Sequence, residues 1–203
     1  MAITKERFEQ GLTYDQWKAQ MTKNREKHEA NEAAVRFDAA DLEVFRNLPE
    51  PLNLVAIGED WCGDVIAYMP LVGRLAAESN GKINLRVFLR DQNLDLMDQY
   101  LKDDKYRSIP VFAVFDRDFR DLGHFIERPE SVTAERMRLR AELYAQNPEF
   151  GSPDSPTDQL SDEIRQKLYK VLNEARDKTA EFGNREVVRA LREIAERATP
   201  ARA

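Results

Sequence analysis

The sequence of 203 residues is poor in the side chains that form disulfides and metal sites. It contains one cysteine, Cys62, and two histidines, His28 and His124, which lie far apart along the chain. A single thiol excludes an intramolecular disulfide. A Cys/His metal site needs three or four such ligands close together, so we expect no metal and no cofactor.

Long hydrophobic runs and an excess of basic residues are also absent. The most apolar run, residues 52–58, is far shorter than the ~20 residues of a membrane-spanning helix, and residues 1–10 lack the apolar core of a signal peptide. The net charge is −6, and the basic residues are interleaved with acidic ones. Nucleic-acid-binding surfaces instead have clustered Lys and Arg. We therefore expect a cytoplasmic protein that binds neither membranes nor nucleic acid.

The composition favours a folded core surrounded by solvated helices. Hydrophobic residues make up 42% of the chain and charged residues 33%, against a usual charged fraction of ~25%. Thr13 and Gln16 have the spacing of a helix capping box. We predict an N-terminal helical extension (1–48), an α/β domain (49–146), and a linker with a C-terminal helical extension (147–203). Residues 182–184 are predicted to separate two helices in this last part, each with an apolar stripe that would pack on the domain or, alternatively, form a homodimer. The stripes are Leu160, Ile164, Leu168, Val171 and Leu172, and Val187, Val188, Leu191 and Ile194.

The middle of the chain alternates between strand and helix patterns. Four runs rich in β-branched and aliphatic residues predict strands, at residues 52–58, 83–89, 110–115 and 121–127. Helical patterns occupy residues 62–79 and 131–144. This order, with one parallel crossover and a closing hairpin, predicts an α/β sandwich.

Cys62 lies where the first predicted strand ends and a helix begins. The free backbone amides at a helix start carry roughly half a positive charge, which stabilises a thiolate. Three acidic residues of the same loop, Glu59, Asp60 and Asp64, disfavour it. Asp64 is also a candidate helix cap or a base for Cys62. The opposing effects are of similar size, so the sequence leaves open a reactive thiol or a small structural side chain.

Several motifs around Cys62 follow one another in a characteristic order. Trp-Cys-Gly at residues 61–63 follows an apolar strand, Pro70 comes eight residues after Cys62, and Ile109 precedes Pro110. In these features the chain resembles the thioredoxin family. The resemblance implies a thioredoxin-like sandwich, a central mixed sheet flanked by helices. It also implies that Pro110 is cis, lies against the cysteine sulfur, and exposes backbone with which an extended substrate can pair.

A narrower resemblance comes with clear departures from the family pattern. Residues 59–64, together with residues 128–129, look like a bacterial subgroup of thioredoxin-family proteins whose activity is largely uncharacterised. The position of the family's resolving cysteine is Val65. Its buried acid and the lysine linked to that acid are replaced by Ala56 and Val87. The resemblance therefore implies that the two-thiol cycle is closed to this chain acting alone.

We predict a monothiol thiol–disulfide exchange protein with Cys62 as its nucleophile. The predicted substrate-binding residues are Trp61, Gly63, Asp64, Ile109 and Pro110. Expected partners are a protein with a disulfide or mixed disulfide, or a low-molecular-weight thiol, which would resolve Cys62. The alternative is a redox-silent module that binds a peptide or protein beside Pro110. A glutathione-held iron–sulfur cluster, as in monothiol glutaredoxins, ranks third because no glutathione-site signature is present.

Overall fold

A computed structural model describes residues 3–198 of the chain. The helices are α1 (Lys5–Glu9), α2 (Tyr14–Gln20), α3 (Arg25–Ala34), α4 (Ala39–Arg46), α5 (Gly63–Glu78), α6 (Leu94–Met97), α7 (Glu130–Gln146), α8 (Asp162–Lys178) and α9 (Ala180–Ala195). The strands are β1 (Leu52–Gly58), β2 (Ile83–Leu89), β3 (Val111–Phe115) and β4 (Asp121–Ile126). The four predicted strands are confirmed, each within one residue of the predicted bounds.

The strands form one mixed sheet in the order β2-β1-β3-β4. Strand β1 pairs in parallel with β2 and antiparallel with β3, which continues antiparallel into β4. Every residue of β1 and β3 is buried, as expected for central strands covered on both faces. The mixed sheet flanked by helices confirms the predicted thioredoxin-like α/β fold.

Helix α5 follows β1 and contains a proline in its interior, Pro70. A proline has no N–H, so the carbonyl of Ile66, four residues earlier, loses its helical donor. The side-chain amide of Asn31, on α3, takes this role and donates to the Ile66 carbonyl at 2.9 Å. The N-terminal extension thus completes the hydrogen bonding of the helix that begins next to Cys62.

The N-terminal extension also protects the edge of the sheet. Leu12 and Val87 exchange two backbone hydrogen bonds, of 2.9 and 2.8 Å, on the outer side of β2. A free strand edge is a site for unwanted pairing, and this contact covers part of it. The predicted capping box at Thr13 and Gln16 is confirmed, with both reciprocal hydrogen bonds present at the start of α2.

Close packing of α2 on α5 depends on a glycine. A Cβ on Gly73 would lie 2.3 Å from the ring of Tyr14, so only glycine allows this approach. Trp17 and His28, both fully buried, pack close to Tyr14. The extension therefore has its own aromatic core.

The described chain divides into two compact units. The first contains residues 3–128 and 187–198, and the second is Pro129–Glu186. In the first unit, Val187, Val188, Leu191 and Ile194 of α9 are buried, and Arg192 forms an ion pair with Asp41 at 3.2 Å.

The second unit has a small core of its own. Tyr144, Phe150 and Leu168 are buried together. Leu160, Ile164, Val171 and Leu172, which together with Leu168 form the first predicted stripe, pack against them. The apolar stripe of this helix therefore contributes to a core within the chain.

One predicted helix boundary is wrong. Residues 182–184 were expected to separate the two C-terminal helices because they include glycine and asparagine. The break instead falls at Thr179, and residues 182–184 lie inside α9. A single glycine costs a helix only about 1 kcal/mol, which the buried face of α9 outweighs.

Within residues 3–198, no helix combines the length and the apolar character needed to cross a bilayer.

Candidate functional site around Cys62

The topology of the sheet brings three loops to one end of β1. Antiparallel pairing of Ile57 with Val111 puts the loop before β3 next to the loop after β1. Parallel pairing of Gly58 with Leu89 puts the end of β2 on the other side. Residues that follow β1 and β2 and precede β3 therefore share one site.

Cys62 is the N-cap residue of α5, with extended backbone angles. Its side chain is partly buried, and the thiol donates toward the Ile109 carbonyl with an Sγ–O distance of 3.5 Å. Ile109 and Pro110 are buried, and the peptide bond between them is cis. The structure thus places the predicted nucleophile against residues 109 and 110, which lie 47 positions further along the sequence.

Trp61 provides the exposed apolar surface of the site. Its side chain is 42% exposed, and the Arg90 guanidinium lies over the indole ring, 4.7 Å from its centroid. A cation over an aromatic face is attracted by the ring's quadrupole. Arg90 also pairs with Asp91 at 2.8 Å. The indole is therefore held beside Cys62 by the residues that follow β2.

Asp60 is held by the segment between α2 and α3. Its carboxylate accepts hydrogen bonds from the Thr22 and Lys23 amides, at 2.6 and 2.9 Å, and from the Thr22 hydroxyl. The Asn24 side chain donates to the Asp60 carbonyl at 2.8 Å. Partial burial by itself would raise the pKa of Asp60, but these hydrogen bonds outweigh it and hold the pKa below its usual value. The Asp60 carboxylate therefore anchors the loop after β1 to the segment between α2 and α3.

The pKa of Glu59 is shifted in the opposite direction from that of Asp60. Burial raises the pKa of Glu59, although its carboxylate accepts a hydrogen bond from the Asp91 amide at 3.0 Å. A raised pKa weakens the preference for the charged form. Glu59 and Asp60 therefore differ in environment although they are neighbours in sequence.

Asp64 lies in the first turn of α5 and is only 9% exposed. Its carboxylate forms an ion pair with Arg128. Arg128 reaches this position because β4 pairs with β3, so that Ile126 lies opposite Val111. The Glu127 amide donates to the Pro110 carbonyl at 2.6 Å. The pair joins the start of α5 to the segment that packs on Pro110, and it offsets the acidic charge two residues from Cys62.

The positions of the family's resolving apparatus are apolar and buried. Val65, Ala56 and Val87 have no exposed surface. Val65 packs against Gly58, where an added Cβ would approach a Val65 methyl group to 2.9 Å. No group in this cluster can attack a disulfide or accept a proton.

The structure brings all the predicted site residues together at one end of the sheet. Cys62, Trp61, Gly63 and Asp64 lie in the loop after β1 or the first turn of α5, and Ile109 and Pro110 face them across the Cys62 thiol. Arg90 was not predicted as part of the site, and Arg128 entered only through the family resemblance. Arg90 follows β2 directly and Arg128 comes two residues after β4, so the pairing of these strands is the signal that locates both.

A family model described as Thioredoxin matches residues 11–140, well over half of the chain. Among solved structures, a protein of unknown function, PA1234, from Pseudomonas aeruginosa is similar at 20% identity and a TM-score of 0.61. The similarity covers 85% of this chain and 96% of that one. An HIV epitope scaffold is similar at 18% identity and a TM-score of 0.57, over 83% and 94% of the two chains. At these identities the structural similarities show the fold alone. Comparison with curated proteins gave no match.

Proposed function

Because this chain belongs to the thioredoxin family, we propose that it carries out thiol–disulfide exchange with Cys62 as its only nucleophilic sulfur. The contact between the Cys62 thiol and the Ile109 carbonyl, beside Pro110, carries this proposal. It puts the sulfur next to backbone that an extended substrate can pair with. The Trp-Cys-Gly-Asp loop, and Val65 at the position of the resolving cysteine, support a monothiol form of this exchange.

The reaction has two balanced steps. Cys62 loses its proton to solvent, and the thiolate attacks one sulfur of a substrate disulfide. A bond from Cys62 to that sulfur forms, the substrate S–S bond breaks, and the other substrate sulfur leaves as a thiolate. An external low-molecular-weight thiol then attacks the mixed disulfide as its thiolate. Cys62 is released, and the substrate sulfur ends in a disulfide with the external thiol.

The surroundings of Cys62 support the first step in three ways. The amides at the start of α5 favour a thiolate. The ion pair with Arg128 offsets the charge of Asp64, and hydrogen bonds engage Asp60 with the N-terminal segment. In the sequence, the acidic residues of this loop disfavour a thiolate. In the structure, the partners of Asp60 and Asp64 largely compensate their negative charge.

A kinetic experiment tests the proposal. The protein is incubated with a glutathionylated peptide and external glutathione, and release of the free peptide is followed over time. We expect catalytic turnover for the unchanged protein and only the background rate for Cys62→Ser. Equal rates for the two proteins would overturn the proposal.

A redox-silent binding module is the second candidate, and one observation favours it. A thiol that donates a hydrogen bond, as Cys62 does to Ile109, is stabilised in its protonated form. In this case the groove beside Pro110 would bind an extended peptide without chemistry. Capture of a partner that survives Cys62→Ser but is lost in Pro110→Ala would favour the binding module over exchange.

A further inference from the structure

A cavity lies at the opposite end of β1 and β2 from Cys62. It has a volume of about 390 Å³ and is lined by Lys5, Phe8, Glu9, Pro51, Asn53, Asn84, Arg86, Arg117 and Phe119. This volume is in the range of pockets that hold small ligands. Asn53 lies five positions before Gly58, so the cavity is about 17 Å along the strand from the Cys62 end. It takes no part in the exchange proposed above.

The floor of the cavity is a polar patch on strands β1 and β2. Asn53 and Asn84 are register partners on adjacent parallel strands, and Arg86 is two residues beyond Asn84. Side chains at alternate positions share a face of the sheet, so all three project from the same side. The Asn84 amide donates to the Asn53 side-chain oxygen at 3.3 Å, and the Asn53 amide donates to the Asp116 carbonyl at 3.0 Å.

Arg86 is the uncompensated charge of this cavity. Within residues 3–198, its guanidinium donates one hydrogen bond, to the Leu85 carbonyl at 3.2 Å, and forms no ion pair. Lys5 and Glu9 face each other at 3.8 Å and largely cancel, and Arg117 lies 3.4 Å from Glu50. A guanidinium carries five donors in a planar fork that matches a carboxylate or phosphate.

The walls of the cavity are aromatic and held in place. The Phe8 and Phe119 rings meet edge to face with centroids 5.4 Å apart, and the Arg86 guanidinium lies 5.7 Å from the Phe8 ring centroid. Phe119 has a φ of 62°, a conformation that costs a non-glycine residue on the order of 1 kcal/mol or more. The Asp116 carboxylate accepts hydrogen bonds from the Asp118 and Arg120 amides, both 2.9 Å, and so stabilises this turn.

From this combination we propose that the cavity binds a small organic anion whose oxyanion group pairs with Arg86 and whose planar apolar body packs on Phe119, beside the buried Phe8 ring. A carboxylate fits the guanidinium fork and the size of the cavity. The N-terminal helix α1 supplies one wall, so the site exists only in a chain that carries its N-terminal extension. This function is independent of Cys62.

Benzoate is a suitable first probe. It is titrated into the full chain, and its binding is measured from amide NMR spectra. We expect saturable shifts at Phe8, Asn84 and Phe119, at least fivefold weaker binding in Arg86→Gln, and unchanged binding in Arg138→Gln. Arg138 is a matched control because it is an exposed arginine of α7 paired with Glu135 and Glu142. Equal binding in Arg86→Gln and the unchanged protein, or no shifts at these amides, would overturn the proposal.

Two further measurements complete the experiment. One tests the oxyanion group and the apolar body of the ligand separately, and the other uses a variant that is expected to fold. Inorganic phosphate should bind at least fivefold more weakly than benzoate, and equal binding would contradict a role for the aromatic walls. Phe119→Gly keeps the positive φ without strain, so we expect it to fold and to lose benzoate binding. Full binding by folded Phe119→Gly would overturn the aromatic part of the site.

Discussion

The acidic residues that surround Cys62 have different environments although they lie within six positions of the sequence. Asp60 accepts hydrogen bonds from the N-terminal segment, Asp64 pairs with Arg128, and burial raises the pKa of Glu59. Like charges disfavour a thiolate only as far as they remain uncompensated. The chemistry of the sulfur therefore depends on partners that come from distant parts of the chain.

The ion pair between Asp64 and Arg128 tunes the charge near the Cys62 sulfur. Arg128→Gln leaves the Asp64 carboxylate without its cation, so we expect thiolate absorbance at 240 nm to appear at higher pH. Asp64→Asn should move it to lower pH because a negative charge near the sulfur is removed. Adding Asp64→Asn to Arg128→Gln should reverse the shift of the single variant.

The control for this experiment is Arg120→Gln. Arg120 is 78% exposed and pairs with Asp116, in the turn between β3 and β4. The Arg120→Gln substitution changes the net charge by the same amount as Arg128→Gln, but at a position away from the sulfur. A shift in this variant as large as that in Arg128→Gln would show that the effect comes from overall charge rather than from the pair.

Helix α5 shows how one element depends on another for its internal hydrogen bonds. Pro70 removes a donor from its middle, and Asn31 of α3 replaces that donor. The acceptor, Ile66, is 3% exposed, so water has little access to its carbonyl. A buried carbonyl without a partner is costly, which makes α3 a structural part of the helix that presents Cys62.

We predict that Asn31→Ala lowers the free energy of unfolding by about 1–3 kcal/mol, measured by urea denaturation. In a Pro70→Ala background, the residue at position 70 again donates to Ile66. In this background, Asn31→Ala should lower the free energy of unfolding clearly less than it does in the unchanged protein. If its cost is equal in the two backgrounds, the Asn31 hydrogen bond does not compensate for the proline.

At the scale of the whole molecule, we expect the stability of the fold to respond to pH through a buried histidine. His28 is fully buried, and its Nε2 lies 3.1 Å from the Tyr14 hydroxyl. Within the described residues, its Nδ1 has no hydrogen-bond partner. Burial lowers the pKa of His28, and the nearby Glu32 offsets this only in part. The folded protein therefore binds fewer protons at His28 than the unfolded chain does.

The sign of the resulting pH dependence is fixed by linkage. A lowered folded-state pKa means that His28 favours folding above about pH 6.5 and that this contribution is lost as the pH falls below it. We predict that the free energy of unfolding decreases from pH 7 to pH 5, with a contribution from His28 of at most about 1.4 kcal/mol per pH unit. His28→Gln should give a shallower slope over this range. An unchanged slope would exclude His28 as the source.

Local patterns were sufficient where the evidence for an element is continuous in the chain. The strands β1 and β2 match the predicted residues 52–58 and 83–89, because each is an apolar run bounded by Pro, Gly or polar residues. The capping box at Thr13 and the position of Cys62 at the start of α5 are likewise local features. The break between α8 and α9 was misplaced because propensity is weak beside tertiary packing. The predicted domain bounds stay a prediction.

By itself, the sequence determined the strands and the helices near residues 62–79 and 131–144, since these depend on neighbours along the chain. Through the order of its motifs, it also determined the thioredoxin-like fold. Only the tertiary structure decided which charges remain uncompensated. It paired Asp64 with Arg128, engaged Asp60 with Thr22 and Lys23, and left Arg86 without an acidic partner. Ion pairs and hydrogen bonds act between atoms a few ångströms apart in space. Such distances, across tens of residues of sequence, are set by strand pairing and helix packing.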